Sequence, residues 1–408
     1  FIWSEKEQRY LSTIKHKIEP LPELKISKLA ELPFNIRAFI VKDIDKDGEG
    51  EIIMVGEKYD KDSNFEYFLH VMNVDFEKSA VKHQQSFPLW MHDKNSSSHI
   101  RAFAIRDIDG DGEEEIFLVR DSWGKNWGFE VSLYVIKIDA QTATIGSQQS
   151  FTLWKGGKNS CCKPRLETIM TGDIFNIKKN DLIFVTEKNI YFYTFDGRNL
   201  SFKYAFSIPS DERLRFLNIG KICHDEKNKL ILGGIKSLKF YTWDGKSFIK
   251  DLEIPLQNPL RNLEIIEGRS YMISSDFDSY SPEVIKIDCK GMDNFTENRF
   301  LLEDTVLLDG DIRFFDAYEN KMAGIVLRGT RIINPSMDTL DEKGLFIYFW
   351  NGEKYVLKKK FSLPEKIQKK YDIKNFTLLT KEVSQIDSPF GIFSFYEGVQ
   401  NMGLYILK

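Results

Sequence analysis

Residues 36–53 read IRAFIVKDIDKDGEGEII, and residues 100–117 read IRAFAIRDIDGDGEEEIF. The two stretches lie 64 positions apart, and the segments QSFPLW at 85–90 and QSFTLW at 149–154 keep the same offset. A whole unit has therefore been duplicated. Each copy holds two apolar runs around an acidic, glycine-containing loop, which is the pattern of two strands and their connection. Self-similarity at this period predicts a repeat architecture rather than unrelated domains.

A second signature recurs downstream. It reads YTFDG at 193–197, YTWDG at 241–245 and YFWNG at 348–352. Asp-Gly and Asn-Gly are the residue pairs that tight β-hairpins prefer, and the runs before them are aromatic or β-branched. The strands after these hairpins end at Pro209, Pro255 and Pro364, where proline ends central-strand pairing. Each signature therefore predicts a strand, a hairpin and a strand.

Together these patterns predict an all-β fold, a single seven-bladed β-propeller of four-stranded blades over residues 21–408. The last unit lacks an outer strand, and residues 22–33 end like the other outer strands, so we expect the N- and C-terminal strands to pair and close the ring. Two stacked sandwiches, or a propeller of six or eight blades, are the alternatives. The predicted units begin near Ile36, Ile100, Leu166, Leu214, Asn262, Ile312 and Ile373.

Residues 1–20 are predicted to form a short N-terminal helix and linker. Trp3, Tyr10, Leu11 and Ile14 fall near helical spacing, and Ser4 with Glu7 has the spacing of a capping box. The four cysteines are too few for a disulfide framework, and pairing of Cys161 or Cys162 with Cys223 or Cys289 stays open beside free thiols.

The composition excludes two function classes. The 57 Lys and Arg residues against 61 Asp and Glu residues give a formal net charge of −4, and no basic stripe is visible, so we expect no nucleic-acid partner. No apolar run approaches the roughly 18 residues that span a bilayer, so no direct membrane span is expected in this chain.

The acidic loops begin at Asp43 and Asp107 and have the composition of a cation site. Carboxylates at positions 1, 3 and 5, glycine at 6, a carbonyl at 7 and an acid at 9 form an all-oxygen set suited to Ca²⁺. An EF-hand would need Glu at position 12, where these loops have Met54 and Leu118, so an EF-hand is rejected. A simple solvated acidic surface is the alternative interpretation, and two copies at equivalent repeat positions argue against it.

These two loops resemble the FG-GAP or VCBS repeats of integrin-α-like propellers, although the Phe-Gly and Gly-Ala-Pro elements of that family are absent. The resemblance implies two bound calcium ions with a structural role. It assigns as ligands Asp43, Asp45, Asp47, Glu49 (through its carbonyl) and Glu51 for one ion, and Asp107, Asp109, Asp111, Glu113 (through its carbonyl) and Glu115 for the other.

The other units do not repeat the site. Asp173 and Asp181 hold positions 1 and 9 of the third unit, but Phe175 and Ile177 replace the carboxylates between them. The fourth unit has Lys229 at position 9. None of these sets could enclose a cation.

Strand alternation puts the acidic loops and Asp-Gly hairpins on one face and the long irregular connections on the other. Trp123 and Trp127 lie in one such connection and are candidate residues for stacking on a glycan or anchoring a protein partner. Packing of both rings against the neighbouring blade is an equally good interpretation.

Catalytic motifs are missing from the sequence. There is no Gly-x-Ser-x-Gly elbow, phosphate-binding glycine loop or His-Glu-x-x-His pair. We therefore expect a non-catalytic, calcium-stabilised propeller that binds a protein partner in an extracytoplasmic location, periplasmic, at the cell surface or secreted, where millimolar calcium fills weak sites. A glycan-binding or glycan-cleaving propeller is the alternative.

Overall fold

A computed structural model describes the chain mainly as β-strands and short connections. Side chains are described for most residues between 27 and 256 and for Leu404. The described residues are 2–4, 9–11, 26–44, 46, 50–59, 65–92, 96–124, 128–139, 144–157, 166–177, 179–209, 214, 216–221, 227–234, 236–256, 260–266, 269–274, 283–291, 294–301, 310–312, 323–330, 344–350, 355–362, 373–379, 390–396 and 402–407.

The first strands of the chain are β1 (Ile2–Ser4), β2 (Arg9–Leu11) and β3 (Ile26–Leu32). Sheet 1 contains β4 (Asn35–Lys42), β5 (Glu51–Tyr59), β6 (Phe65–Asp75) and β7 (Ala80–His92). Sheet 2 contains β8 (Ser96–Arg106), β9 (Glu115–Gly124), β10 (Gly128–Asp139) and β11 (Thr144–Gly156). Sheet 3 contains β12 (Leu166–Gly172), β13 (Asp181–Thr186), β14 (Asn189–Phe195) and β15 (Leu200–Ser207).

Sheet 4 contains β16 (Phe216–Gly220), β17 (Lys229–Gly233), β18 (Ser237–Trp243) and β19 (Phe248–Pro255). Sheet 5 contains β20 (Leu260–Ile266), β21 (Arg269–Ser274), β22 (Glu283–Gly291) and β23 (Asn294–Leu301). Sheet 6 contains β24 (Gly310–Ile312), β25 (Ala323–Thr330), β26 (Gly344–Trp350) and β27 (Tyr355–Ser362). Sheet 7 contains β28 (Ile373–Leu379), β29 (Phe390–Tyr396), β30 (Met402–Leu407) and, as its fourth strand, β3.

The strands of each sheet follow chain order and pair antiparallel. The exception in order is sheet 7, where β3 pairs with β30 in a register that runs from Ile26 opposite Leu407 to Leu32 opposite Met402. The predictions of an all-β chain and of four-stranded antiparallel sheets are therefore confirmed. Within the described residues there is also no helix of the length and hydropathy that crossing a bilayer requires.

Where side chains are described, from sheet 7 through sheets 1, 2 and 3 to sheet 4, neighbouring sheets pack through apolar clusters. One cluster joins Leu32 and Leu404 of sheet 7 to Ile52 and Phe68 of sheet 1. Further clusters lie between sheets 1 and 2, between sheets 2 and 3, and between sheets 3 and 4. The first strands β28, β4, β8 and β12 lie side by side in this order, as do β16 and β20. Side-by-side packing of sheets through their first strands is typical of propeller blades.

The predicted N-terminal helix is wrong where the structure describes this segment. Instead, β1 and β2 pair as a hairpin, with Trp3 opposite Tyr10. Aromatic and branched side chains favour extended backbone, and the apolar positions near helical spacing were too few to outweigh that preference.

The predicted Asp-Gly hairpins lie where the sequence put them. Gly197 and Gly245 have φ values of 89° and 104°, which only glycine adopts readily, and they join β14 to β15 and β18 to β19. Asp196 and Asp244 accept hydrogen bonds from the backbone amides of their own turns. Residues 351–354, with the third predicted hairpin, lie outside the described part of the chain.

Candidate functional site: two acidic loops

The acidic loop of sheet 2 connects β8 to β9 and is folded around its own carboxylates. Both oxygens of Asp107 accept backbone hydrogen bonds, from Gly110 at 2.7 Å and from Gly112 at 3.1 Å. Asp109 and Asp111 each accept one from the amide two residues further on. Gly110 and Gly112 have positive φ angles, which glycine adopts without strain, and in the first loop Lys46 holds the position of Gly110 with a φ of 61°. The loop is thus preformed by backbone geometry.

Glu115 is the first residue of β9 and lies at the end of this loop, on its buried side. Its side chain is 0% exposed, and its Oε2 atom accepts a 3.0 Å hydrogen bond from the amide of Ile108. Burial raises the pKa of Glu115, opposed by that amide and by the ammonium group of Lys137. Oxygen atoms of Asp107, Asp109 and Glu115 lie within 4.8 Å of one another. The structure therefore brings together three of the five predicted calcium ligands of this loop.

Lys137 of β10 extends into the same group of carboxylates. Its Nζ atom lies 3.0 Å from Glu115 Oε1 and 3.2 Å from Asp109 Oδ2, and it also contacts Asp111. The side chain of Glu113 is mostly exposed, and its carboxylate lies 3.9 Å from the ammonium group. Burial alone would lower the pKa of Lys137, but its hydrogen bonds to Asp111 and Asp109 and its ion pair with Glu115 more than offset burial and raise that pKa.

Two lysines of sheet 1 add further positive charge. Lys42 Nζ lies 2.6 Å from Glu114 Oε2, and Lys46 donates to the carbonyl of Gly112. The donor set of the second loop therefore has the chemistry and spacing that a hard cation needs, but an ammonium group already contacts two of its three converging carboxylates. Calcium and Lys137 cannot both hold these oxygens.

The acidic loop of sheet 1 differs at the position that corresponds to Lys137. Asn73 stands there, and it donates a 3.2 Å hydrogen bond to Glu51 Oε1. Glu51 is buried like Glu115, and its Oε2 atom accepts from the amide of Ile44 at 3.0 Å. Asp43 is partly buried at the loop start, while Asp45, Asp47 and Glu49 lie outside the described residues. In this loop a neutral amide replaces the ammonium group.

The first residue of the second strand also carries a charge in sheets 3 and 4. Asp181 and Lys229 begin β13 and β17, as Glu51 and Glu115 begin β5 and β9, and we call these four the strand-start residues. Lys203 Nζ of β15 lies 3.6 Å from Asp181 Oδ1.

Sheet 4 reverses the polarity of this pair. Lys229 Nζ lies 2.6 Å from Asp251 Oδ2 of β19 and also donates to Thr242 Oγ1 at 2.9 Å. Lys203 and Asp251 both lie at the register shift between the third and fourth strands of their sheets. Sheets 2, 3 and 4 therefore neutralise the strand-start charge inside the chain.

Substitution of Asp181 by asparagine is expected to stabilise the protein above pH 6. Burial raises the pKa of Asp181 to about 6, opposed by Lys203, because its side chain is 0% exposed. The folded state thus binds this proton more tightly than the unfolded state does, so the contribution of Asp181 to stability is present below about pH 4 and is lost as the pH rises to about 6. We expect Asp181→Asn to raise the free energy of unfolding by about 2 kcal/mol at pH 7.5 and by much less at pH 4, measured by urea unfolding.

The control for this prediction is Asp244→Asn in the hairpin of sheet 4. Backbone hydrogen bonds from Ser247 and Lys246 lower the pKa of Asp244, so its removal is expected to destabilise the protein at neutral pH. A lower stability of Asp181→Asn at pH 7.5 would mean that the ion pair with Lys203 outweighs the burial of the carboxylate.

The acidic loop of sheet 2 and the hairpin of sheet 3 share one face of the molecule. A Cβ atom on Gly197 would lie only 2.7 Å from Asp109 Oδ2, so glycine permits the close approach of hairpin and loop. The side chain of Gln149 donates to the carbonyl of Gly197, and Asn180 donates to the carbonyl of Asp107. The acidic loop is thus part of a contact between two sheets.

The candidate partner-binding residue Trp123 lies at the end of β9 and is 47% exposed. On the neighbouring strand, the Nε atom of Arg101 lies 2.7 Å from the buried carboxylate of Asp121, and in sheet 1 the Nη2 atom of Arg37 contacts the buried carboxylate of Glu57. Both arginines remain partly exposed. Trp127 lies outside the described residues, so the structure describes only one of the two predicted tryptophans.

Lys137 and the charge pairs of sheets 3 and 4 were not among the predicted site residues. Lys137 lies 22 positions beyond Glu115, on the third strand of its unit, and only strand pairing brings the two together. The 64-residue offset between the two copies aligns Lys137 with Asn73 and so indicates where the two acidic loops differ in charge. Comparison of the two copies beyond the loops would have revealed the difference.

Comparisons with known proteins give little beyond this geometry. No family model and no curated protein matches the chain. The structure is similar to a chain in "Crystal Structure of Mitotic Checkpoint Complex", at 11% identity and a TM-score of 0.48, over 97% of this chain and 98% of that one. It is also similar to a chain in "Crystal structure of BBS1N in complex with ARL6DN, soaked with mercury", at 12% identity and a TM-score of 0.37, over 76% and 91% of the two chains. Neither similarity bears on the function of this chain.

Proposed function

We propose that the chain is a non-catalytic, seven-bladed β-propeller whose ring is closed by β3 and β30 and which binds a protein partner through the end of sheet 2 that carries Trp123. The fold part of this proposal is supported by the pairing of β3 with β30 and by the apolar cluster between sheets 7 and 1. A sheet made from both ends of the chain leaves no open edge at the junction, which a propeller requires.

Trp123 carries the binding part of the proposal. Trp123 leaves 47% of its surface in water, and tryptophan is enriched at the centres of protein interfaces. Arg101 is anchored by the buried carboxylate of Asp121, two residues before Trp123 on β9, so its exposed part is held in place before a partner binds. Preorganised arginine next to an exposed aromatic ring is a composition typical of interface hot spots.

Affinity purification from native source material tests this surface. We expect a protein that the wild-type chain and Phe202→Ala retain and that Trp123→Ala loses, because Phe202 is an exposed aromatic residue of sheet 3 and serves as a matched control. With the purified partner, Trp123→Ala is expected to weaken Kd about 30-fold. Equal retention by both variants would refute the role of this surface, and binding of a glycan array in place of a protein would favour the glycan-binding alternative.

We also propose that the first acidic loop, with Asp43, Asp45, Asp47, Glu49 and Glu51, holds a structural calcium ion and is related to FG-GAP or VCBS repeats. The support is its alternation of carboxylates and the neutral Asn73 beside Glu51. Weak modular calcium sites are filled where calcium reaches millimolar concentration, which supports an extracytoplasmic location.

A further inference from the structure

The second acidic loop contains a cation supplied by the chain itself. Lys137 lies within 3.2 Å of Glu115 and Asp109 and contacts Asp111, all of which were predicted calcium ligands. We propose that the ammonium group of Lys137 takes the place of calcium in the second loop, which is therefore closed by an internal ion pair and binds no metal.

The geometry indicates that Lys137 replaces a calcium ion in this loop and does not share the carboxylates with one. Calcium binds its oxygen ligands at about 2.3–2.6 Å, and it would have to approach the same oxygens of Glu115 and Asp109 that Lys137 contacts. Two cations at that separation repel each other strongly in a partly buried site. Lys42 and Lys46 add two more ammonium groups at the rim of this loop, through Glu114 and Gly112. Calcium would have to displace Lys137 into a position without these carboxylates.

The neighbouring sheets provide independent support. Asp181 with Lys203, and Lys229 with Asp251, neutralise the strand-start residue of sheets 3 and 4 from within the chain. The strand-start residue is an acid in sheet 3 and a base in sheet 4, yet in both sheets a side chain of opposite charge from the fourth strand pairs with it. Sheet 1 is different, because Asn73 stands where Lys137 stands in sheet 2 and brings no charge. The two copies therefore differ at this position, with an ammonium group beside Glu115 in one and a neutral amide beside Glu51 in the other.

Equilibrium dialysis with radioactive calcium tests the inference on wild type, Asp107→Asn, Lys137→Asn and the double variant. Lys137 contacts Asp109, Asp111 and Glu115, whereas the predicted ligand Asp107 accepts backbone hydrogen bonds from Gly110 and Gly112. Asp107→Asn therefore removes a carboxylate ligand and keeps one amide oxygen as an acceptor for the loop backbone. We expect Asp107→Asn to leave the calcium content of the wild type unchanged. Lys137→Asn copies Asn73 and is expected to gain one calcium ion per chain, and the double variant is expected to lose that gain.

Lys203→Asn is the matched control, since it removes an internal ammonium group from a unit that lacks the calcium ligands. It is expected to gain no calcium. Loss of one calcium ion in Asp107→Asn overturns the inference even if Lys137→Asn fails to fold, and a gain in Lys203→Asn would overturn it as well. If the wild type binds no calcium and Lys137→Asn gains one ion, the proposed calcium site of the first loop is refuted, while the inference about Lys137 stands.

Discussion

Replacement of Leu32 by alanine is expected to lower the free energy of unfolding by about 3 kcal/mol. Leu32 belongs to β3, only 2% of its surface is exposed, and it packs in the cluster that joins sheet 7 to sheet 1. Truncation removes buried methyl groups and leaves a cavity that the neighbouring sheets cannot fill by moving. Urea unfolding followed by tryptophan fluorescence measures the effect.

A double-mutant cycle with Leu404→Ala separates docking of β3 from general core packing. Leu404 of β30 lies opposite Ala30, two positions along the ladder from the partner of Leu32, and belongs to the same cluster. We expect the double variant to lose about 1 kcal/mol less than the sum of the single losses. Phe202→Ala on the exposed outer strand of sheet 3 should change stability by less than about 0.5 kcal/mol. A similarly small effect of Leu32→Ala would show that β3 does not close the ring.

Replacement of Lys137 by methionine in the presence of a chelator is expected to lower the free energy of unfolding by about 3 kcal/mol or more. The substitution keeps an unbranched apolar stem and removes the ammonium group. Glu115 would then be a buried carboxylate next to Asp109 with no cation, which is the situation that makes loss of one member of a buried ion pair so destabilising. Chemical denaturation at low ionic strength is the suitable measurement.

If the lost stability comes from the isolated charge of Glu115, removal of that charge should restore part of it. Glu115→Gln introduced into Lys137→Met should restore part of the lost stability, because it removes the isolated carboxylate and keeps its hydrogen bond from Ile108. Lys78→Met, at an exposed pair with Asp75, should have little effect on stability. If Glu115→Gln worsens the loss instead, Lys137 stabilises the sheet mainly through other contacts.

Local sequence patterns predicted the fold well wherever a repeat made them visible. Asp-Gly pairs between aromatic runs led directly to the hairpins of β14 with β15 and of β18 with β19, because glycine at 197 and 245 is required by positive φ angles. The interpretation of residues 1–20 failed because it rested on a few apolar positions with no second copy to compare. Pairing of Trp3 with Tyr10 is a contact that helical periodicity cannot reveal.

The candidate site was only half visible in the sequence. Carboxylates at alternate positions predict a bound cation, but the pattern does not distinguish a metal ion from an ammonium group. That choice depends on Lys137, whose approach to Glu115 is set by the register of β10 on β9, where Lys137 lies opposite Glu115. A search for local motifs examines contiguous residues and therefore misses a partner supplied by strand pairing.

The reversed polarity of the strand-start pairs in sheets 3 and 4 has a consequence for assembly of the chain. Repeat proteins with similar units are prone to exchange strands between neighbouring units while they fold. If β15 added to sheet 4, Lys203 would meet Lys229, and if β19 added to sheet 3, Asp251 would meet the buried Asp181. Both mismatches place like charges together, at a buried position in sheet 3 and at a partly buried one in sheet 4, so each outer strand is electrostatically matched to its own sheet and repelled from the next.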